Sequence, residues 1–188
     1  CAVYNLAMPR VSVLMPCYNV AQTLAETLQS LSKQTLKNFE IVAVDDGSED
    51  ATLQVLEDWA EKDSRLRILA RPHEGIIPAM NAGLAACRAE LIARMDADDW
   101  AYPERLVKQA AYLDEHPHVG LLACKVEEFP PGSGREGFRV YMDWLNSLLN
   151  DEDIKREIFV ESPLAHPGVM YRKKLVLDLG GYQERGWA

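Results

Sequence analysis

Short apolar runs alternate along the first half of the chain with segments in which apolar residues recur every three or four positions. The runs at residues 11–15 and 39–44 predict strands buried in a sheet, and those at 66–69 and 91–95 predict a short third strand and a fourth strand. The periodic segments predict helices at 20–34, 53–59 and 75–87. This alternation, with short connections, predicts an α/β fold in which helices cover both faces of a parallel sheet.

The pattern is looser beyond residue 100. Helices are predicted at 103–115 and 139–150, with a continuation at 153–159, and strands at 119–123 and after a turn within 166–172. Proline, glycine and serine at 130–134 predict a surface loop. Ligands of open parallel sheets bind beyond the carboxyl ends of the strands. The polar loops after the first, second and fourth strands are therefore the candidate site.

The loop after the fourth strand, Asp96-Ala97-Asp98-Asp99, is rich in carboxylates. In an extended backbone residues two apart point the same way, so Asp96 and Asp98 share a face and Asp99 points off it. Oxygen ligands on one side suit a hard cation such as Mn²⁺ or Mg²⁺, with open positions for a diphosphate. The alternative is a solvated acidic turn that caps the next helix. An EF-hand is excluded, because Ala101 and Val107 occupy the positions of its glycine and its last glutamate.

Composition limits the partners and the setting. The 188 residues suffice for one domain with a real core, and the net charge of −9 argues against a nucleic-acid partner. No apolar run approaches the length of a membrane span. The four cysteines lack metal-ligand spacing, which favours a reducing, cytoplasmic location, either free or peripheral to the membrane. Residues 1–7 precede Met8, a plausible natural start, and are expected to be a cloning remnant.

Five segments together resemble the family 2 glycosyltransferases, a group of inverting enzymes with the GT-A fold. Each segment alone is a weak signal, but their order and spacing are specific. The matching segments are 11–19 (VSVLMPCYN), 40–52 (EIVAVDDGSEDAT), most of 75–84, 96–99 (DADD) and 103–106 (PERL). The resemblance extends from Pro9 to Tyr182. It implies a GT-A-type, Rossmann-like fold with a mostly parallel central sheet, in one domain at residues 8–188 that is incomplete at its C-terminal end.

The resemblance also implies a nucleotide site. Pro16, Tyr18 and Asn19 would shape the pocket around the base and ribose. Asp46, with Asp45 beside it, would accept the imide N–H of uracil, which favours a UDP-sugar as the donor.

The alternative interpretation of residues 45–48 is an ordinary turn with a helix cap. Asp50 and Thr52 are interpreted in that way. Asn81 is interpreted as a residue that braces a loop, with no catalytic role.

The metal and the phosphates are assigned by the same resemblance. Asp98 would be the direct ligand of Mn²⁺ or Mg²⁺, and Asp96 would contact the ribose or sugar or reach the ion through water. Arg71 either meets a phosphate or is an exposed loop arginine. His166 lies on the acceptor or phosphate side, or is a partly buried histidine bonded to the backbone.

The implied reaction is transfer of a sugar, with inversion, from a nucleotide diphosphate sugar to a hydroxyl group of a glycan or lipid-linked acceptor, in the synthesis of surface polysaccharide or glycoconjugate. Such transfer needs a general base. The family usually places it in a Glu-Asp pair shortly after a segment like Gly181-Tyr182. Glu184 comes too early, so the catalytic base is expected beyond Ala188. Apolar residues around Leu175, Leu179, Tyr182 and Trp187 predict self-association through the C-terminal face.

Two other functions remain open at this point. One is a nucleotide-sugar binding module without catalysis, which the missing base favours. The other is a sugar-phosphate nucleotidyltransferase, which shares the general architecture. Those enzymes carry a glycine-rich loop with a basic residue after the first strand, and residues 16–19 (PCYN) do not match it.

Overall fold

The computed structural model of the protein describes residues 8–128, 132, 136–159 and 161–184. Helices and strands alternate through most of this part of the chain. The strands are β1 (Val11–Cys17), β2 (Phe39–Asp45), β3 (Leu66–Ala70), β4 (Leu91–Arg94), β5 (Leu121–Ala123) and β6 (Val169–Arg172). The helices are α1 (Leu24–Ser32), α2 (Thr52–Ala60), α3 (Ile76–Ala86), α4 (Arg105–Glu115), α5 (Glu136–Ser147), α6 (Asp151–Glu157) and α7 (Lys173–Asp178), with a short 3₁₀ turn at His166–Gly168.

The strands of the described residues form one sheet in the order β3-β2-β1-β4-β6-β5. Strands β1 to β4 pair in parallel, whereas β6 runs antiparallel to both β4 and β5. The expected α/β fold with a mostly parallel sheet is confirmed. The register places Cys17 opposite Asp45 and Asp45 opposite Ala70, so the first three strands end at one edge.

Apolar side chains cover both faces of the sheet. On one face, alternate residues of β1 and β2 pack with leucines of α1, α2 and α4, including Leu28, Leu56 and Leu113. On the other face, Leu14 and Val44 pack with Met80 and Leu84 of α3. Burying side chains of this size contributes roughly 1.5–3 kcal/mol each, so the two cores hold the strand ends in place.

Several element boundaries differ from those predicted, because local hydrogen bonds override the apolar periodicity. Helix α1 begins at Leu24 and not at Val20, because the Val20 carbonyl accepts the Thr23 and Leu24 N–H groups in a preceding turn. Helix α5 ends at Ser147. The side chain of Asn150 then accepts the Asp153 N–H at 2.9 Å and caps α6, a new helix.

A buried ion network closes the edge of the sheet opposite the candidate site. Glu40, which is 1% exposed, accepts the Ser12 hydroxyl at 2.6 Å and the Arg88 backbone N–H at 2.7 Å. The Arg88 and Arg67 guanidinium groups lie 2.7 Å and 2.9 Å from its other oxygen. Burial alone would raise the pKa of Glu40, but these hydrogen bonds outweigh it and lower the pKa below 4.5.

Some of the predictions fall on residues that the structure does not describe. These are residues 1–7, Trp187 and most of the loop at 130–134. Leu175 and Leu179 are exposed, as expected, whereas Tyr182 is half-buried and bonded to Tyr171. Within the described ranges, every helix is too short or too polar to cross a bilayer.

Candidate functional site

The loops after β1 and β2 are tied together at the carboxyl edge of the sheet. The Asn19 N–H donates to the Ser48 hydroxyl at 3.0 Å, and the Asn19 side-chain oxygen accepts the Glu49 N–H at 2.8 Å. Asn19 has a φ of +52°, a left-handed conformation that asparagine tolerates better than most residues. Its side chain therefore holds the two loops in register.

A second pair of side chains extends this connection. Asp50 accepts the Ala21 N–H at 3.1 Å, and Thr52 accepts the Val20 N–H at 2.8 Å. Asp50 also accepts the Thr52 N–H at 2.9 Å, close to the start of α2. The interpretation of Asp50 as a capping residue was incomplete, because the same carboxylate also holds the neighbouring loop.

The Asp46 carboxylate braces the loop that leads into α3. It is 3% exposed and accepts the Gly75 N–H at 2.8 Å and the Glu74 N–H at 3.3 Å. The His73 Nδ1 atom lies 2.9 Å from Asp46 Oδ2. An ionised carboxylate offers about four acceptor positions, so room remains for one more donor.

An aromatic pair, Tyr18 and His73, lies beside the Asp46 carboxylate. The Tyr18 and His73 rings stack with centroids 4.1 Å apart, and Tyr18 is 43% exposed. Gly47 allows this approach: its φ is +73°, and a Cβ there would lie 2.6 Å from the His73 backbone nitrogen. His73 is exposed, and nothing near it in the sequence indicates that it contacts a loop 27 positions earlier in the chain.

Arg71 lies between the Asp46 carboxylate and the solvent. Its Nε atom is 3.8 Å from Asp46 Oδ1, and its guanidinium also pairs with Glu74. The side chain is 17% exposed, so Arg71 packs against its two carboxylate partners and does not extend into solvent. Pro16 lies nearby in β1, half-buried and paired with Val44.

Asp45 occupies a different position from Asp46. Its side chain lies close enough to the buried Cys17 thiol for its charge to add to burial in raising the pKa of that thiol. Asp45 Oδ1 is buried and has no hydrogen-bond partner among the described residues. The structure therefore separates two carboxylates that the sequence analysis grouped together, and only Asp46 is bonded to the Tyr18–His73 side of the edge.

The acidic loop after β4 is anchored by its backbone. The Ala97 carbonyl accepts the Thr27 and Thr23 hydroxyls of the α1 region at 2.9 Å and 3.3 Å. Asp96 pairs with Arg94 at 2.9 Å, whereas Asp98 is exposed to solvent. Of these two carboxylates, Asp96 is thus held by an ion pair, and Asp98 extends into solvent.

The three carboxylates of this loop repel one another. Burial raises the pKa of Asp99 to about 6, and the charges of Asp96 and Asp98 add to that effect. Burial also raises the pKa of Asp96, against the opposing charge of Arg94. Among the described residues, no group of three or more histidine, cysteine, aspartate or glutamate side chains is arranged to hold a metal ion. The loop can supply one or two carboxylate ligands, which leaves other positions of a cation free.

A large cleft of about 1140 Å³ opens beside the acidic loop. Its walls include Asp98, Asp99, Arg105, Tyr141 and His166. Most of the lining comes from the segment after β5, from α5 and from residues 162–168. The cleft lies on the β6 side of the acidic loop, whereas the Tyr18 and Asp46 side chains lie on its β2 side.

His166 and Arg105 line the cleft, and neighbouring groups contact both side chains. Burial, followed by the charge of Arg94, lowers the pKa of His166, and its Nε2 atom lies 3.5 Å from the Ser162 hydroxyl. Arg105 donates to the Arg94 carbonyl at 2.7 Å, which ties α4 to the end of β4. His166 therefore lies in the wall of the cleft, with the Ser162 hydroxyl as its side-chain neighbour.

The chain is similar to a known protein family and to several curated proteins. The profile of the family described as Glycosyl transferase family 2 matches residues 12–180. The chain is 35% identical to the amylovoran biosynthesis glycosyltransferase AmsE of Erwinia amylovora, over 92% of this chain and 63% of that protein. It is 32% identical to the putative glycosyltransferase EpsE of Bacillus subtilis (strain 168), over 93% of this chain and 60% of that protein. The chain thus spans less than two thirds of the length of these relatives.

The chain is also similar to solved structures. S. aureus TarS 1–349 in complex with UDP-GlcNAc matches with a TM-score of 0.72 and 29% identity, over 93% of this chain and 48% of that one. The mannosyltransferase PcManGT of Pyrobaculum calidifontis, in complex with GDP-Man and Mn²⁺, matches with a TM-score of 0.70 at 23% identity, over 92% of this chain and 47% of that one, which shows the fold alone. Family match, relatives and fold agree, and the chain belongs to the family 2 glycosyltransferases.

Proposed function

We propose that this chain carries the donor site of a metal-dependent glycosyltransferase. It would move a sugar from a nucleotide diphosphate sugar, with a UDP-sugar favoured, to a hydroxyl group of a glycan or lipid-linked acceptor, with inversion. The observation that carries the proposal is the meeting of three loops at one sheet edge. The loops after β1 and β2 carry Tyr18 and Asp46, and the loop after β4 carries Asp96 and Asp98, with the cleft beside Asp98.

The preference for a uridine donor rests on two observations. The TarS structures, at 29% identity, are complexes with UDP and UDP-GlcNAc. In this chain, Asp46 lies beside the stacked Tyr18 and His73 rings with acceptor capacity to spare. A uracil ring next to Tyr18 could donate its N–H to that carboxylate.

The residues of the acidic loop fit a divalent cation. Burial, with the added charges of Asp96 and Asp98, raises the pKa of Asp99, and a dication would relieve the repulsion among the three carboxylates. Asp98, exposed at the mouth of the cleft, would bind the ion directly, and Asp96 would contact the ribose or sugar. When bound, the cation would stabilise the charge of the departing nucleoside diphosphate.

The side chains of the protein would orient the two substrates. Arg71, in the wall of the nucleotide pocket, carries a positive charge that a phosphate can meet. His166 has a lowered pKa and is neutral near pH 7, so its ring can accept or donate a hydrogen bond to an acceptor hydroxyl. A surface-polysaccharide product is favoured because AmsE is a glycosyltransferase of amylovoran biosynthesis.

Replacing Asp46 with alanine is expected to weaken UDP binding more than ADP binding, because only uracil has the imide N–H. One charge-assisted hydrogen bond is worth about 1.5–3 kcal/mol. Titration calorimetry with both nucleotides and Mn²⁺ measures the ratio of affinities. The matched control is Asp50→Ala, which also removes a loop brace at this edge and should weaken both nucleotides alike. Equal weakening by Asp46→Ala would reduce Asp46 to a brace.

An assay of sugar transfer distinguishes the proposed transferase from a nucleotide-sugar binding module without catalysis. We expect the protein to bind UDP-GlcNAc with Mn²⁺ and, assayed as the whole natural protein, to transfer the sugar to a glycan or lipid-linked acceptor. Donor binding without transfer in that assay would favour a binding module. Formation of a nucleotide sugar from a sugar phosphate and UTP would favour a nucleotidyltransferase.

A further inference from the structure

We propose that Arg105 is a positioning residue of the candidate site and that Gln109 orients its guanidinium. The two side chains hold the ends of β4 and β6 at the point where these strands separate, and so fix the position from which the acidic loop leaves the sheet. The inference rests on the proposed function, in which carboxylates of that loop hold a divalent cation.

Strands β4 and β6 separate at the edge of the sheet that carries the candidate site. Their antiparallel pairing ends with Ala93 opposite Met170. The next residues in this register are Arg94, which leads into the acidic loop, and Val169, which follows the His166–Gly168 turn. The two segments that diverge here both contribute residues to the wall of the large cleft.

The Arg105 guanidinium occupies the position where the strand pairing ends. Its Nη2 atom donates to the Arg94 carbonyl at 2.7 Å and to the Val169 carbonyl at 3.4 Å. A charged donor makes stronger hydrogen bonds than a neutral one. The side chain therefore joins two strand ends beyond the point where they pair with each other.

Gln109 fixes the orientation of that guanidinium. Its side-chain oxygen accepts the Arg105 Nε–H at 3.1 Å, and its side-chain nitrogen donates to the Gly168 carbonyl at 2.9 Å. Gln109 is 4% exposed, so water competes little for these bonds. The Gly168 carbonyl also accepts the Cys124 N–H at 3.1 Å. Gln109 thus connects the guanidinium to a fixed point at the end of the His166–Gly168 turn.

The bond from Arg105 reaches the acidic loop through one peptide group. The Arg94 carbonyl belongs to the Arg94–Met95 peptide, whose N–H donates to the Leu14 carbonyl of β1 at 3.1 Å. This peptide is therefore held by β1 on one side and by Arg105 on the other. The Arg94 side chain pairs with Asp96 at 2.9 Å, so the first carboxylate of the loop is fastened to the residue that Arg105 holds.

A second anchor of the loop lies one residue beyond Asp96, where the Ala97 carbonyl accepts the Thr27 hydroxyl at 2.9 Å. Asp96 thus lies between two fixed points, and Asp98 directly follows the second. Ligands that share a cation must be held to within about 0.5 Å of the productive geometry. Loss of the Arg105 bond should therefore weaken cation binding without removing a ligand.

The first measurement is amide hydrogen exchange, which needs no ligand. Arg105→Lys keeps the charge but removes the planar group that reaches both carbonyls and Gln109. Exchange at the Met95 amide should become about tenfold faster relative to amides in the middle of β2, because opening this peptide no longer breaks a charge-assisted bond. Gln109→Leu should have a smaller effect, since Arg105 then keeps its bond to Arg94.

The second measurement is the ratio of the UDP affinity with Mn²⁺ to that without it, by calorimetry. Arg105→Lys should lower this ratio about tenfold, the low end of the effect of losing a group that orients a metal ligand. Gln109→Leu should lower it about threefold, the lower end of what one hydrogen bond contributes. Both substitutions leave the net charge unchanged, so a lower ratio reports a change of geometry.

Arg172→Lys is the matched control. Arg172 also holds backbone carbonyls with its guanidinium: Nε lies 2.9 Å from the Val119 carbonyl and Nη2 lies 2.6 Å from the Leu113 carbonyl. It is paired with Leu91, at the other end of β4 from the acidic loop. This substitution should destabilise the fold but leave the Mn²⁺ ratio and the relative exchange at Met95 unchanged.

Two results would overturn the inference and leave the proposed function standing. Unchanged relative exchange at Met95 in Arg105→Lys would show that the guanidinium does not hold this peptide in solution. Faster exchange with a Mn²⁺ ratio no lower than that of Arg172→Lys would make Arg105 purely structural. If Arg105→Lys does not fold, the same two readings on Gln109→Leu decide. Absence of Mn²⁺-dependent UDP binding in the wild-type chain would instead overturn the metal-dependent transferase together with the inference.

Discussion

Asp98→Ala is expected to abolish the Mn²⁺-dependent part of UDP binding while the chain stays folded. Asp98 is the exposed carboxylate of the acidic loop and lies at the mouth of the large cleft. Loss of an outer-shell partner of a metal ligand commonly costs about 10–100-fold in metal affinity, and loss of a direct ligand should cost more. Calorimetry of UDP binding with and without Mn²⁺ measures the effect.

The fold should tolerate this change because an exposed side chain leaves no buried partner behind. The free energy of unfolding should stay within about 0.5 kcal/mol of the wild-type value. Asp114→Ala is the control: it removes another exposed carboxylate, paired with Arg10 on the surface, and should leave UDP binding unchanged. Unaltered Mn²⁺-dependent affinity in a folded Asp98→Ala chain would remove Asp98 from the metal site.

Glu40→Gln is expected to destabilise the fold by about 3–5 kcal/mol, the usual cost of breaking a buried ion pair from one side. The glutamine amide would place N–H groups against two guanidinium groups that now donate to the Glu40 carboxylate. Urea unfolding measures the loss. Glu104→Gln is the control, since the pair of Glu104 with Lys108 is exposed and such pairs contribute about 0–1 kcal/mol. Similar losses in both variants would mean that the network contributes little.

The same network makes stability depend on pH. The pKa of Glu40 is lower in the folded state than its ordinary value of 4.5, so the unfolded chain binds the proton first as the pH falls. The contribution of Glu40 is fully present above pH 4.5 and is lost as the pH falls through the folded-state pKa. The gap in stability between the wild-type chain and Glu40→Gln should therefore narrow below pH 4.5. A constant gap from pH 7 to pH 3 would contradict the assignment.

Where sequence reasoning succeeded, the signal was local. Apolar runs became β1, β2 and β4 because strands buried on both faces must be largely apolar, whereas β3, at the edge of the sheet, is partly exposed. The placement of polar loops at one edge followed from the parallel order of those strands. The roles of Asp46, Asp98 and His166 stay predictions, although the structure places each at that edge.

Where it failed, the decisive contact joined residues far apart in the chain. Nothing near His73 indicates that Gly47 brings a loop within reach of its backbone. Nothing near Asn81 in the sequence indicates that its side chain binds the Tyr182 backbone. The sequence analysis predicted only that Asn81 braces a loop. The antiparallel pairing of β6 with β4 also depends on where the chain returns to the sheet, which apolar periodicity does not encode.

The sequence by itself determined the elements, the family and the order of the carboxylate-bearing loops, because hydrophobic period and short motifs are properties of neighbouring residues. Only the tertiary structure decided that Asp45 and Asp46 lie in different surroundings and that Arg94 holds Asp96. It alone fastened Tyr182 to α3. The physical reason is that burial, charge pairing and backbone clamps arise between segments that become neighbours only when the sheet is assembled.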